Sequence, residues 1–203
     1  GGKFEQAPAE HMATSGSKVM EFVRLVGLLK HTKRTGWVRK GVSDPESIAG
    51  HMYRMAVLSM LVDPASNVKK DHCVKMSIVH DLAECLVGDI TPCDPVSKEE
   101  KYKLEKDALE KIGKLVSPQT AQEFMELWQE YEDQKTPESH FVKDLDKFDM
   151  IAQAHEYEVT DKKPGFLQEF FDSTEGKFQT PQVKGWVEEL EKVRSSNDSI
   201  ENE

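Results

Sequence analysis

Apolar positions recur at helical spacing along almost the whole chain. Met20, Val23, Leu25, Val26, Leu28 and Leu29 predict a first helix that gives way to a basic stretch at about residues 30–34. Thr35-Gly36-Trp37 then interrupts the pattern. Asp44-Pro45-Glu46 supplies a capping Asp, a Pro at the first helical position and an acid in the first turn, so it predicts a helix start. The run that follows, at about residues 48–62, is apolar on most sides and belongs in a core. A third helix is expected over about residues 70–87, again apolar on most faces and ended by Gly88. Gly88-Asp89-Ile90-Thr91-Pro92-Cys93-Asp94-Pro95 reads as a loop from its Gly and Pro content. Ser97-Lys98-Glu99-Glu100 has the form of a capping box and opens a charged helix to about residue 115. Further helices are expected at about 118–133, from Thr136-Pro137-Glu138 to about 158, and, after Pro164-Gly165, as one short helix and a last one near 181–193. No alternating strand pattern and no internal repeat emerges. The expected fold is all-α, a compact single globule of about six to eight helices.

The chain has 203 residues, enough for one domain with a real core. Residues 1–17 are expected to be a disordered tail, partly an expression-tag remnant, without the apolar segment of a secretory signal. The domain is expected over 18–194, followed by a polar tail at 195–203. The net charge of −10 argues against a nucleic-acid or anionic-membrane binder, because phosphate backbones attract basic faces. It leaves room for a small phosphorylated substrate, since a bound cation can reverse the local field. No apolar run approaches the roughly 20 residues of a membrane span. Cys73, Cys85 and Cys93 are odd in number and contain no Cys-x-x-Cys pair, which points to a reducing, intracellular and cytoplasmic setting rather than a disulfide framework. Cys73 and Cys85 are expected to be small buried side chains.

Polar groups in apolar helices carry the chemical signal. His80 and Asp81 interrupt the run Val74-Lys75-Met76-Ser77-Ile78-Val79-His80-Asp81-Leu82-Ala83, His51 sits between Ile48 and Met55, and Asp146 lies in Val142-Lys143-Asp144-Leu145-Asp146-Lys147-Phe148. An unpaired buried carboxylate costs several kcal/mol or shifts its pKa toward neutrality. Two imidazoles and two carboxylates around a divalent first-row cation would resolve that cost. On a continuous helix, His80 and Asp81 stand about 100° apart and can both face a cation between them. Glu84 lies one turn further along and suits proton handling rather than ligation. A lone His in an apolar helix is also compatible with a satisfied core residue, so helical geometry alone leaves both readings open. There is no Gly-rich phosphate loop and no Gly-x-Ser-x-Gly elbow, which disfavours a P-loop kinase or a serine hydrolase.

Four segments occur in order: Pro45-Glu46-Ser47-Ile48-Ala49-Gly50-His51-Met52-Tyr53-Arg54-Met55, Ile78-Val79-His80-Asp81-Leu82-Ala83-Glu84, Val87-Gly88-Asp89-Ile90 and Val142-Lys143-Asp144-Leu145-Asp146-Lys147. Together they resemble the HD-domain metal-dependent phosphohydrolases, and within them the 5′-deoxynucleotidase branch. The resemblance implies that His51, His80, Asp81 and Asp146 are metal ligands, Glu84 the catalytic acid or base, and Asp89 a contact to the substrate sugar. It implies further that Arg34 and Trp37, in Arg34-Thr35-Gly36-Trp37, contact phosphate and sugar, although bacterial members place Arg and Trp side by side. Gly50 stands where the family usually carries an acid. The expected activity is hydrolysis of deoxyribonucleoside 5′-monophosphates to deoxynucleoside and phosphate, with a divalent cation among Mn, Mg, Fe, Co and Zn, in a homodimer. A non-catalytic nucleotide sensor and an HD hydrolase of another phosphorylated substrate are the alternatives.

Overall fold

The computed structural model describes residues 15–200, with side chains through residue 196. Ten helical segments form among these residues: α1 (Gly16–Leu28), α2 (Thr35–Arg39), α3 (Ile48–Ser59), α4 (Lys70–Val79), α5 (Glu84–Val87), α6 (Lys98–Gly113), α7 (Pro118–Asp133), α8 (Pro137–Asp161), α9 (Gln168–Thr174) and α10 (Pro181–Ile200). Eight of them have seven residues or more, and no strand is present among the described residues. The expected tail at 1–17 falls largely outside the described residues, and α10 runs past residue 195, where a polar tail was expected. Among the described residues no helix is long and apolar enough to cross a membrane.

Local signals explain several helix starts. Ser97 and Ser117 accept hydrogen bonds from the backbone N–H groups of Glu100 and Thr120, and Thr136 forms a full capping box with Ser139. Each satisfies N–H groups that a helix start leaves unpaired.

Three local expectations change. The helix expected from Asp44 begins instead at Ile48, capped by Ser47, whose hydroxyl accepts from Gly50 N–H at 3.1 Å. The preceding residues run extended, because Arg34 N–H donates to the Glu46 carbonyl at 3.1 Å and Ile48 N–H to the Thr32 carbonyl at 2.9 Å. Thr35-Gly36-Trp37, expected to interrupt the helical pattern, is the start of α2. Its first N–H is satisfied from a remote part of the chain, and Gly36 lets the helix approach Phe170, whose ring would lie 3.3 Å from a Cβ there.

The helix expected over 70–87 is broken between α4 and α5. His80 Nδ1 bonds to the Ser77 carbonyl at 2.8 Å, which a continuing helix would offer to the N–H of residue 81. The backbone tightens instead, with Leu82 N–H to the Val79 carbonyl at 2.9 Å and Glu84 N–H to the Asp81 carbonyl at 3.1 Å. Both are three-residue spacings of the 3₁₀ kind.

The main core gathers Ile48, Met55, Cys73, Met76, Ile112, Trp128 and Leu145. A second cluster holds Trp37, Val42, Ile151, Ala154, Leu167 and Phe171. Helix α8 contributes Val142 and Leu145 to the first and Ile151 and Ala154 to the second, so it ties the two together. Helices α3, α4 and α8 pack against one another, which brings the polar positions of three separate segments to one place. Cys73 and Cys85 are buried and Cys93 is exposed. Burial pushes the Cys73 thiol up to about 12 and the Cys85 thiol up to about 11, so both are inert packing groups.

Candidate metal centre

His51 is fully buried on α3 and His80 nearly so at the end of α4. Each ring is fixed through Nδ1. His51 Nδ1 lies 2.6 Å from Asp149 Oδ2 on α8, and His80 Nδ1 lies 2.8 Å from the Ser77 carbonyl. A carbonyl only accepts, so a proton sits on His80 Nδ1 and Nε2 is the nitrogen left to face the carboxylates. Both Nε2 atoms are buried without a hydrogen-bond partner. They converge on carboxylates: His80 Nε2 is 3.2 Å and His51 Nε2 3.7 Å from Asp81 Oδ2, and His51 Nε2 is 3.1 Å from Asp146 Oδ1.

His51, His80 and Asp81 offer ligand atoms that all lie within 4.8 Å of one another. Asp146 joins this set through its contact with His51. Its other oxygen is committed, because Tyr131 O–H donates to Asp146 Oδ2 at 2.6 Å and Lys143 Nζ donates to the Tyr131 hydroxyl oxygen at 2.9 Å. Paired, buried nitrogens without partners, turned toward ionised carboxylates, are what a divalent cation satisfies, and a mixed N/O donor set suits it. The residues present therefore fit a divalent cation.

Without a cation, the imidazoles and carboxylates of this cluster balance one another. Burial opposes ionisation of Asp81, but the His80 and His51 rings outweigh it and hold the carboxyl well below the usual range. Burial likewise opposes ionisation of Asp146, and His51 and Lys143 outweigh it. His51 loses basicity to burial and to Arg34, yet the facing Asp146 and Asp149 carboxylates raise it to about 9.

Glu84 opens α5 and is 4% exposed, with Oε2 lacking any partner. Burial first, then Asp81 and Asp89, push its carboxyl well above the usual range, against the pull of Arg34 and Lys101. The break between α4 and α5 thus brings Glu84 within electrostatic reach of Asp81 by a tight turn rather than by a continuous helical face.

Arg34 precedes α2 with its side chain 14% exposed. Nε is 3.7 Å from Glu46 Oε1 and Nη1 is 3.8 Å from Asp81 Oδ2, both too long for hydrogen bonds. Burial opposes its charge, but Asp146, Asp81, Asp89 and Glu46 hold the proton on more firmly than usual. Asp89 is half-buried just beyond Gly88. Gly88 adopts φ 75° and ψ 176°, a region essentially reserved for glycine. Thr35 N–H donates to Asp89 Oδ2 at 2.6 Å. Trp37 does not open onto this space: it is 1% exposed, its ring packs on Phe170 and Tyr157, and its Nε1–H donates to Glu46 Oε1 at 3.0 Å.

Three neighbours were not expected from the sequence. Asp149, fully buried, orients His51 and is itself bonded by Arg54 Nε. It follows Asp146 by three residues between Phe148 and Met150, so the signal that singles out Asp146, an acid in an apolar helix, is present for it too. Glu46, expected as a first-turn acid, links Trp37 and Arg34. Tyr131, which holds Asp146, carries no signal at all in its local sequence.

Comparison with known proteins agrees with this geometry. The HD domain family profile matches residues 26–186. A human protein named 5′-deoxynucleotidase HDDC2 is 50% identical over 179 residues, covering 88% of this chain and 87% of that protein. A Schizosaccharomyces pombe 5′-deoxynucleotidase is 45% identical, covering 88% of this chain and 91% of its own length. A crystal structure of a Pyrococcus horikoshii protein superposes with a TM-score of 0.68 at 32% identity, covering 87% of this chain and 96% of that one. By its ordered segments, its helical core and these relatives, the chain belongs to the HD domain family.

Proposed function

We propose that this chain is a divalent-metal-dependent 5′-deoxynucleotidase, which hydrolyses deoxyribonucleoside 5′-monophosphates to deoxynucleoside and inorganic phosphate. The observation that carries the reading is the convergence of two buried, unpartnered imidazole nitrogens on Asp81 and Asp146, with the buried Glu84 carboxyl, whose Oε2 has no partner, within electrostatic reach of Asp81. Relatives at 45–50% identity bear the 5′-deoxynucleotidase name, which supports the substrate class.

His51, His80, Asp81 and Asp146 would hold the cation. When bound, it supplies the positive charge that polarises a phosphate oxygen and makes water a competent nucleophile near neutral pH. The imidazole share of the donor set favours Fe or Zn over Mg.

Arg34 binds the phosphate, because its planar guanidinium is charged, largely buried and held by Glu46 and Asp81 only at ion-pair distances too long for hydrogen bonds. Glu84 handles the proton. As the oxygen of water bonds to phosphorus and the bond from phosphorus to the 5′-oxygen breaks, Glu84 accepts a proton from the water and returns it to the departing oxygen. Asp89 accepts from the sugar 3′-hydroxyl through Oδ1. Trp37 contributes through Glu46, which it orients, rather than through ring contact with the sugar.

The test is a phosphate-release screen over mono-, di-, tri- and cyclic nucleotides with each candidate cation. Turnover is expected on deoxyribonucleoside 5′-monophosphates above all others. A preference for triphosphates or cyclic nucleotides would move the chain to another HD hydrolase activity. Nucleotide binding without turnover would make it a sensor.

A further inference from the structure

The loop after α5 is held by two hydrogen bonds, both donated by Thr35 and both accepted by Asp89. Thr35 N–H donates to Asp89 Oδ2 at 2.6 Å, and Thr35 Oγ1 donates to the Asp89 carbonyl at 2.8 Å. These close a ring between segments 54 residues apart. One bond commits a carboxylate oxygen and the other fixes the backbone that carries it. Asp89 is left with one oxygen, Oδ1, to offer a ligand.

Thr35 also directly follows Arg34, whose guanidinium faces Asp81. A single threonine therefore joins the group placed to bind phosphate to the group placed to accept a hydroxyl. Further along the loop, Lys101 Nζ donates to the Ile90 carbonyl at 3.0 Å, and Arg39 donates to Thr91 Oγ1 and Asp94 Oδ1 at 2.7 and 2.6 Å. Those contacts steady the loop but leave the Asp89 carboxylate to Thr35.

We propose that Thr35 is a positioning residue that fixes the span from Arg34 to Asp89, so that the site selects a nucleoside 5′-monophosphate bearing a free 3′-hydroxyl. The proposal rests on the reading of Asp89 as the acceptor of that hydroxyl. A polar group held for one hydroxyl rejects the analogue lacking it far better than an apolar wall rejects an extra atom, because the held group is then left unpaired. The competing role for the same contacts is plain capping of α2, which would serve every substrate equally.

Steady-state kinetics on 2′-deoxyadenosine 5′-monophosphate and its 2′,3′-dideoxy analogue separate the two. Wild type is expected to favour the 3′-hydroxyl substrate by about tenfold or more in kcat/KM. Thr35→Val keeps the shape and loses the hydroxyl. It should lose about tenfold on the 3′-hydroxyl substrate, mainly in KM, and stay within about twofold on the dideoxy analogue. Thr35→Ser should restore the 3′-hydroxyl substrate to within about threefold of wild type. Thr35→Ala takes the place of the valine variant if that variant does not fold.

Equal losses on both substrates, or none on either, would overturn the proposal. If wild type discriminates, Asp89→Asn abolishes the discrimination and Thr35→Val retains it, Asp89 keeps its role and Thr35 loses the one proposed. If wild type does not discriminate at all, the reading of Asp89 fails first and that of Thr35 with it.

Discussion

Glu84 is the side chain on which binding and turnover should come apart. It is electrostatically coupled to Asp81 but lies outside the three-residue cluster whose donor atoms converge. Glu84→Gln should leave cation affinity, read by calorimetric titration, within about threefold, while phosphate release falls by about 10²–10⁴, the usual reach of a proton-transfer group. Asp149 behaves in the opposite way. It touches no substrate-facing space and acts on His51 Nδ1, fixing which nitrogen is left for the cation. Asp149→Asn should weaken cation affinity by about 10–100-fold, a loss that calorimetry on the substrate-free protein would show. His51, His80, Asp81 and Asp146 stand out in the sequence because ionisable groups in apolar helices demand an explanation. Asp149 gives the same local signal but belongs to no expected ligand set, whereas the grip of Tyr131 on Asp146 spans 15 residues and leaves no pattern to read.

Helices whose ends are set by their own sequence are easy to foresee. Helix α7 starts behind Ser117 with Pro at its first turn, and α8 starts behind Thr136 in the same way. Ends set from elsewhere in the chain are not. Asp89 satisfies the first N–H of α2 across the fold, Thr32 and Arg34 pull the residues before α3 into extended form, and the His80 side chain takes the carbonyl that would have carried α4 onward. Two glycines test this division. Gly88 has open space where a Cβ would stand but a φ of 75°, so Gly88→Ala should cost about 1–3 kcal/mol in urea unfolding from backbone strain alone and shift Asp89. Gly50 lies within α3, where a Cβ would meet only Ser47 Oγ at 3.5 Å. Gly50→Ala should therefore stabilise by about 0.5–1 kcal/mol in the same experiment.

In the proposed centre, cation binding would be coupled to global stability, because its residues come from α3, from the turn after α4 and from α8, which pack together through the main core. Without a cation, the carboxylates and imidazoles of this centre rely on one another across the helix contacts. Cation at about 100 times its Kd should add about 2.7 kcal/mol, a rise in Tm of about 5–10 °C for a domain of this size, and chelation should reverse it. The net charge of −10 favours cation approach but says nothing of which helices meet; runs that are apolar on most sides do not say so either, and the structure shows α3, α4 and α8 in mutual contact. The most direct measurement is cation stoichiometry in wild type, His80→Ala and Asp146→Ala, by calorimetric titration of chelator-stripped protein with helicity checked by circular dichroism. One equivalent in wild type and none at matched concentration in the two folded variants is the expected result. A full equivalent retained by both folded variants would contradict the four-residue centre.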